Sequence, residues 1–269
     1  MSQAAMIQRF RDLHAAGCFV IPNPWDVGTA RYLVARGFKA LATTSSGFAW
    51  STGKADNQVT LAATLDHFAA IAEAVPVPVN GDFEGGFATD PTAVGGNVGR
   101  AIATGIAGLS IEDSTGAPEN PLFEFELAVD RIRAARAAID ASKTGVLLTG
   151  RSEGFIVGRP DLTETVRRLR AYAAAGADCL YAPGIRTPAD IAAVVAAVAP
   201  KPVNVLVGGD FTTVDALASA GVRRISIGGA LARVAWNAAM AAVEEIAGQG
   251  TFKGLTTTRT FGEINGMFT

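Results

Sequence analysis

A chain of 269 residues, nearly half of them hydrophobic, can bury one large core, and single α/β barrels commonly occupy about this length. A net charge of −2 argues against a nucleic-acid binder, which ordinarily depends on a basic face. Two cysteines, Cys18 and Cys179, are too few for a disulfide framework, and no apolar run reaches the roughly 18 residues of a membrane span. The opening MSQAAMIQRFRDLHAAG reads as an amphipathic helix rather than a leader. The expectation is a cytoplasmic protein with neither nucleic-acid nor membrane partners.

Beyond that helix, short β-branched or apolar runs alternate with longer Ala-rich helical segments. The first strand, CFVIP at 18–22, leads to a helix near 27–36, and the second, ALATT at 40–44, precedes a helix at 60–74. The third (VPVNGD, 77–82), fourth (GLSIED, 108–113) and fifth (GVLLTGR, 145–151) are followed by helices at 91–104, 124–140 and 161–175. The sixth (DCLYAP, 178–183), seventh (PVNVLV, 202–207) and eighth (RRISIG, 223–228) lead to 188–198, 212–219 and 230–247. Gly37, Gly105, Gly176 and Gly221 stand where a left-handed residue stops a helix just before a strand. Asp90-Pro91, Asp161, Thr187-Pro188 and Thr212-Thr213 mark helix starts.

Eight such units predict an α/β fold, a closed (β/α)8 TIM barrel over residues 1–250, with an open doubly wound sheet as the alternative. The tail, 251–269, has lost the repeat. It is expected to be irregular and to pack on the barrel or on a neighbouring subunit.

In such a barrel the active site lies at the C-terminal strand ends. Those positions hold Asn23 and Asp26, then Thr44, Ser45, Ser46 and Gly47, then Asp82 and Glu84. Glu112 with Asp113, Arg151 with Glu153, Tyr181, Asn204, and Ser226 with Gly228 and Gly229 complete the rim. Asp82 and Glu84 would share one side of the chain by the two-residue strand period, if the third strand runs that far. Carboxylates gathered this way repel and raise one another's pKa, so a cation is expected among them. His14 and His67 fall within helices, which argues against a His-ligated metal or a catalytic triad. None of the lysines (39, 54, 143, 201 and 253) ends a strand, which argues against a Schiff base. The two cysteines read as core fillers. What remains is an oxygen-only site of the kind that suits Mg²⁺, or Mn²⁺.

TTSSGFA at 43–49 can aim backbone N–H groups at an oxyanion. Arg151 can grip a substrate carboxylate with its fork, or pair with Glu112 or Glu153. Glycine pairs at 208–209 and 228–229 follow the last two strands, where phosphate-binding barrels hold a phosphate.

In order, NPWDVGTAR, TTSSGFA, DFEGGF, SIEDS, GRSE and PVNVLVGG resemble the phosphoenolpyruvate mutase/isocitrate lyase superfamily through essentially the whole barrel. The resemblance implies homodimers or homotetramers, often with the last helix exchanged between subunits. It implies Mg²⁺ holding a small 2-oxo or 2-hydroxy acid whose enolate is stabilised. Asp82 would be the direct metal ligand, with Glu84 and Glu112 holding metal-bound waters; many members have Asp where Glu84 stands. Thr44, Ser45, Ser46, Gly47 and Phe48 would bind substrate carboxylate and enolate oxygens, with the Gly47 and Phe48 amides sharing the enolate charge. Arg151 and Asn204 would bind substrate. Asp56, on the loop after the second strand, would join Ser46 and Arg151 in catalysis.

The departures narrow the reaction. The loop after the fourth strand, STGAPENPLFEFE, lacks the Lys-Lys-Cys-Gly-His motif of isocitrate and methylisocitrate lyases, and offers only Asn120 toward a phosphoryl group. The leading expectation is a Mg²⁺-dependent lyase or decarboxylase that breaks a C–C bond of a small 2-oxo or 2-hydroxy dicarboxylate. The alternatives are phosphonomutase or phosphonopyruvate hydrolase chemistry, a phosphate-binding barrel isomerase, and a non-catalytic binding protein.

Overall fold

The computed structural model describes residues 1–256 and 258–268. The strands are β1 (Phe19–Ile21), β2 (Leu41–Ala42), β3 (Val79–Asp82), β4 (Gly108–Glu112), β5 (Leu147–Arg151), β6 (Cys179–Tyr181), β7 (Val203–Leu206) and β8 (Arg224–Ser226). All pair in parallel, in the order β1-β8-β7-β6-β5-β4-β3-β2. The remaining seam, between β1 and β2, is bridged where the Ala42 N–H donates to the Pro22 carbonyl at 3.1 Å. The result is a (β/α)8 TIM barrel, as expected.

The helices are α1 (Gln3–Ala15), α2 (Val27–Ala35), α3 (Ser45–Ser51), α4 (Leu61–Ala74), α5 (Pro91–Ile102) and α6 (Phe125–Ser142). They continue with α7 (Leu162–Ala174), α8 (Pro188–Val198), α9 (Val214–Ser219), α10 (Ala230–Gln249) and α11 (Phe261–Asn265). Side-chain oxygens of Asp90, Asp161, Thr187 and Thr213 accept from the third helical N–H of α5, α7, α8 and α9, satisfying donors the helix itself leaves orphaned.

Helix α1 closes the N-terminal end of the barrel. Met6, Ile7 and Phe10 are buried, Gln3 donates to the carbonyls of Ile102 and Ile106, and Arg11 donates to that of Gly145. All three carbonyls lie just ahead of β4 or β5, so the opposite end is left for chemistry.

Three local features differ from expectation. TTSSGFA carries a helix absent from the expected set: Thr44 caps α3, which small residues make possible by tolerating tight packing against Trp25 and Ala232. Strand β3 stops at Asp82, so the strand period does not carry to Glu84, which instead sits at φ +46° in the following turn. The tail carries regular structure among its described residues: the Lys253 and Gly254 N–H groups donate to Glu245 of α10 at 2.8 Å each, and α11 follows.

Helix α10 is unlike the other long helices. Ala232 is its one buried residue, while Leu231, Val234, Trp236, Met240 and Val243 are exposed. An apolar helix surface of this size normally lies against something.

At the start of β4 the barrel interior leaves no room for a side chain. A Cβ on Gly108 would lie 2.6 Å from the Phe10 ring and 3.2 Å from the Leu147 carbonyl oxygen. Gly108→Ala is therefore expected to destabilise the fold by about 1–3 kcal/mol, read from the urea midpoint. A variant as stable as wild type would contradict this account of how α1 seats on the barrel.

Candidate active site

A cavity of ≈ 840 Å³ opens at the C-terminal ends of the strands. Strand register explains why polar groups meet there: Glu112 pairs with Arg151, Arg151 with Tyr181, and Tyr181 with Asn204, so β4 to β7 each contribute one member of a continuous row. Asp82, at the end of β3, is register partner to Ser110.

Arg151 is the hub of this row. Its Nη1 lies 2.7 Å from Asp82 Oδ1 and its Nη2 3.0 Å from Glu112 Oε2, while Nε and Nη2 both reach Glu153 Oε1 at 3.0 Å. Its guanidinium lies 5.1 Å from the centre of the Tyr181 ring. Burial works against its charge, yet Glu112, Glu153 and Asp82 hold its pKa well above the ordinary arginine range.

One guanidinium cannot neutralise all the acids. Burial, reinforced by Asp82 and Asp56, pushes the Glu84 carboxyl up to about 8. Glu112 and Glu153 are raised chiefly by burial, against the pull of Arg151. Asp56, hydrogen-bonded to the Ser45 side chain, is also raised by burial. These are carboxylates short of positive charge.

A second layer fixes the first. Asp113 accepts from the Glu153 N–H (2.8 Å), the Tyr172 hydroxyl (2.6 Å) and Arg168 Nη1 (3.2 Å). Deeper in the barrel, Arg224 donates to Asn204 Oδ1 (2.9 Å) and Thr149 Oγ1 (3.1 Å), and Asn204 Nδ2 donates to Ser226 Oγ (2.9 Å). Asn23 Oδ1 accepts from the Ile227 and Gly228 N–H groups, tying β1 to the turn after β8.

Of the residues singled out from sequence, Thr44, Ser45, Ser46, Asp56, Asp82, Glu112, Arg151 and Asn204 line this one cavity. Gly47, Phe48 and Glu84 stand elsewhere. The Gly47 N–H donates to Thr44 Oγ1 and the Phe48 N–H to the Thr44 carbonyl, so α3 itself consumes both amides. The Phe48 ring stacks on His67 with centroids 3.9 Å apart. With Asp82 and Glu84, Phe48 borders a small adjoining cavity behind α3. The Ser45 N–H donates to Asp82 Oδ2 at 3.1 Å, and Ser46, at the second position of the helix, lines the main cavity. Arg224 and Arg233 also line the main cavity. Neither was singled out from sequence: Arg224 begins its strand, and Arg233 lies in the first turn of α10. Two-residue alternation along RRISIG could have placed Arg224 inward with Ser226.

Among the described residues, no three His, Cys, Asp or Glu side chains are gathered as a ready metal cage. Asp82 and Glu112 converge on the Arg151 guanidinium instead, and Glu84 lies to one side. The donor chemistry nevertheless fits a hard divalent cation, because it is all oxygen, rich in carboxylate and undercompensated in charge. Mg²⁺ and Mn²⁺ bind through few direct carboxylates and keep several waters, which demands no closed protein cage.

A parallel barrel with an acid-rich cavity at the C-terminal strand ends has the architecture of a barrel enzyme. Sequence comparison gives the family: the chain belongs to the phosphoenolpyruvate phosphomutase family, whose model matches residues 10–247. It is 34% identical over 222 residues to an uncharacterised protein of Mycobacterium tuberculosis H37Rv, covering 81% of each chain. A solved structure from Burkholderia cenocepacia J2315, named only at the level of lyase/mutase, shares 45% identity and superposes with a TM-score of 0.94 over 99% of this chain and 96% of that one. The 2,3-dimethylmalate lyase structure, a member of the phosphoenolpyruvate mutase/isocitrate lyase superfamily, shares 25% identity with a TM-score of 0.86 over 100% and 95%. Lyases and mutases are thus the company this fold and family keep.

The charge imbalance has a sign that can be measured. With its pKa at about 8 in the fold against an ordinary 4.5, Glu84 holds a proton in the native state that the unfolded chain releases, so stability falls as pH rises through that window. In metal-free buffer, Glu84→Gln is expected to exceed wild type in stability by at least about 1 kcal/mol near pH 8.5, with the gap closing toward pH 4. Equal denaturation midpoints at the higher pH would contradict the assigned charge excess.

Proposed function

We propose that the protein is a Mg²⁺- or Mn²⁺-dependent lyase or decarboxylase that breaks a C–C bond of a small 2-oxo or 2-hydroxy dicarboxylate through an enolate. The observation that carries this reading is the cluster of Asp82, Glu112, Glu153 and neighbouring Glu84 and Asp56 around the single guanidinium of Arg151. Asp82 would hold the cation directly, and Glu84 and Glu112 would hold its waters. When bound, the cation supplies Lewis-acid polarisation of the substrate's 2-oxygen and carboxylate.

The chain's own groups do the rest. Arg151 would take and orient the substrate carboxylate through Nη1 and Nη2, the nitrogens that now hold Asp82 and Glu112, while Nε keeps its bond to Glu153. The Ser46 N–H and the Ser45 and Ser46 hydroxyls stand at the cavity wall to share the negative charge that moves onto the 2-oxygen as the bond to C3 breaks. Asp56, on the cavity wall and hydrogen-bonded to Ser45, is placed to relay a proton from water to the enolate carbon. Asn204, held by Arg224 and Ser226, contributes a fixed amide on the opposite wall.

The loop after β4 favours C–C over P–C chemistry. A bridge between Ser114 and Leu122 closes it on itself, and apart from Ser114 it faces the cavity with Gly116, Ala117, Pro118 and Pro121. None of those four offers a side-chain donor for a phosphoryl group, and Asn120 lies outside the cavity lining. We further propose that residues 1–250 form the catalytic barrel, that the exposed apolar face of α10 joins subunits of a homodimer or homotetramer, and that the following tail packs there. The enzyme would work in the cytoplasm.

Incubation with oxaloacetate, alkylmalates and phosphonopyruvate, with and without Mg²⁺, is expected to release pyruvate or a related oxo acid from a C–C substrate only when metal is present. Asp82→Ala should abolish that turnover, and Arg151→Lys should lower kcat/KM by roughly 100-fold or more, because a point charge cannot replace the fork. Metal-independent turnover, or full activity in Asp82→Ala, would sink the proposal.

A further inference from the structure

The turn that carries Glu84 is held in an unfavourable backbone conformation. Glu84 (φ +46°) and Phe87 (φ +56°) are both non-glycine residues in the left-handed region, and Gly86 between them is at φ +73°. Such geometry persists only where surrounding contacts over-determine it. Each carbonyl of the turn can therefore be asked what holds it. The Phe83 carbonyl accepts from the Gly86 N–H at 2.8 Å, and the Glu84 carbonyl from the Glu112 N–H at 3.0 Å. Asn97 Nδ2 reaches the Gly86 carbonyl at 2.9 Å. The carbonyls of Gly85 and Ala88 are both taken by one side chain, Arg131 of α6.

Arg131 is 1% exposed and forms no ion pair among the described residues. Its guanidinium spends its hydrogen bonds on backbone carbonyls instead. Besides the two in the turn, Nη1 donates to the carbonyl of Glu112 at 3.2 Å. Its flat face lies 3.8 Å from the centre of the Phe123 ring, at the far end of the loop after β4. The Phe123 carbonyl in turn accepts from Arg168, the residue that binds Asp113.

We infer that Arg131 is a positioning residue: its guanidinium clamps the strained turn after β3 to the end of β4, and so fixes where the Glu84 and Glu112 carboxylates stand relative to Asp82. A planar group with five donors is suited to this, because it can bind carbonyls from two loops at once. A lysine has one point of attachment and a methionine none. Without the clamp, Glu84 and Phe87 are free to leave the left-handed region, and the Glu84 carboxylate swings with them. Arg131 touches no substrate; it acts through the two acids. The inference about cation affinity rests on the proposed metal role of the cluster, whereas the clamp itself does not.

The test uses the full-length protein with Arg131→Met and Arg131→Lys, and reads amide hydrogen exchange at Gly86 and Glu112 against the remote Leu180 amide of β6. Arg131→Met is expected to speed exchange at Gly86 and Glu112 by about tenfold or more relative to Leu180. It should weaken Mn²⁺ binding, measured by calorimetry, by about 10- to 100-fold, with Arg131→Lys between the two. A residue that merely stabilised the fold would shift all three amides together and leave Mn²⁺ affinity in the folded protein unchanged. Unchanged relative exchange at Gly86 and Glu112 overturns the clamp. Wild-type protein that binds no Mn²⁺ overturns the metal reading instead, and the exchange data still decide this one. Should Arg131→Met fail to fold, Arg131→Lys, which keeps the charge but loses the fork, is expected to speed the same two amides relative to Leu180 by a smaller factor, and no acceleration there overturns the clamp.

Discussion

The guanidinium of Arg151 is the interaction on which the architecture of the site depends. It holds Asp82, Glu112 and Glu153, three acids from the ends of β3, β4 and β5, within 2.7–3.0 Å of its nitrogens. Were it removed, buried carboxylates would face one another without compensation, a cost of several kcal/mol in an interior of low dielectric constant. Even with it, burial holds the carboxyls of Glu84, Glu112, Glu153 and Asp56 above their ordinary range, and one guanidinium stands against five acids. A stable fold that tolerates this imbalance at a cavity has the character of a binding site rather than of a structural ion pair.

The barrel makes the cluster possible. Parallel strands bring their C-terminal ends to one rim, and the register sets Glu112, Arg151, Tyr181 and Asn204 side by side on consecutive strands. Behind them, three further buried arginines tie loops and strands together without joining the cavity's ion pairs to Arg151. Arg131 binds carbonyls of the two acid-bearing loops, Arg168 holds Asp113 behind Glu153, and Arg224 braces Asn204 from below. Four arginines from β5, α6, α7 and β8 thus offset and orient a larger set of acids. Helix α1 plugs the opposite end, which confines access to the rim where the chemistry lies.

The barrel was legible because its signals are local. Alternating apolar runs, helix-stopping glycines such as Gly176 (φ +105°) and caps such as Asp90 each report on a few neighbouring residues. The site was legible in part for the same reason: residues ending strands have to share a rim, so Asp82, Glu112, Arg151 and Asn204 group by position in the sequence alone. What escaped depends on contacts between distant segments. Helix α3 forms because Thr44 caps it and because Gly47 fits between Trp25 and Ala232, which its sequence, rich in serine and glycine, does not advertise. Glu84 left the expected strand face because the chain turns at Phe83 under bonds from Asn97 and Arg131. Arg131 and Arg168 look like ordinary charged positions on amphipathic helices, and only the closed barrel shows that both point inward.

The proposed divalent cation would join the acid cluster beside Asp82, where Arg151 now supplies part of the compensating charge. Anomalous diffraction from crystals soaked in Mn²⁺ and oxalate tests this most directly. One Mn²⁺ peak is expected beside Asp82 in the main cavity, with Arg151 turned from Asp82 and Glu112 onto the oxalate carboxylate. Oxalate bound with no Mn²⁺ peak in the cavity, and Arg151 still paired to all three acids, would contradict it.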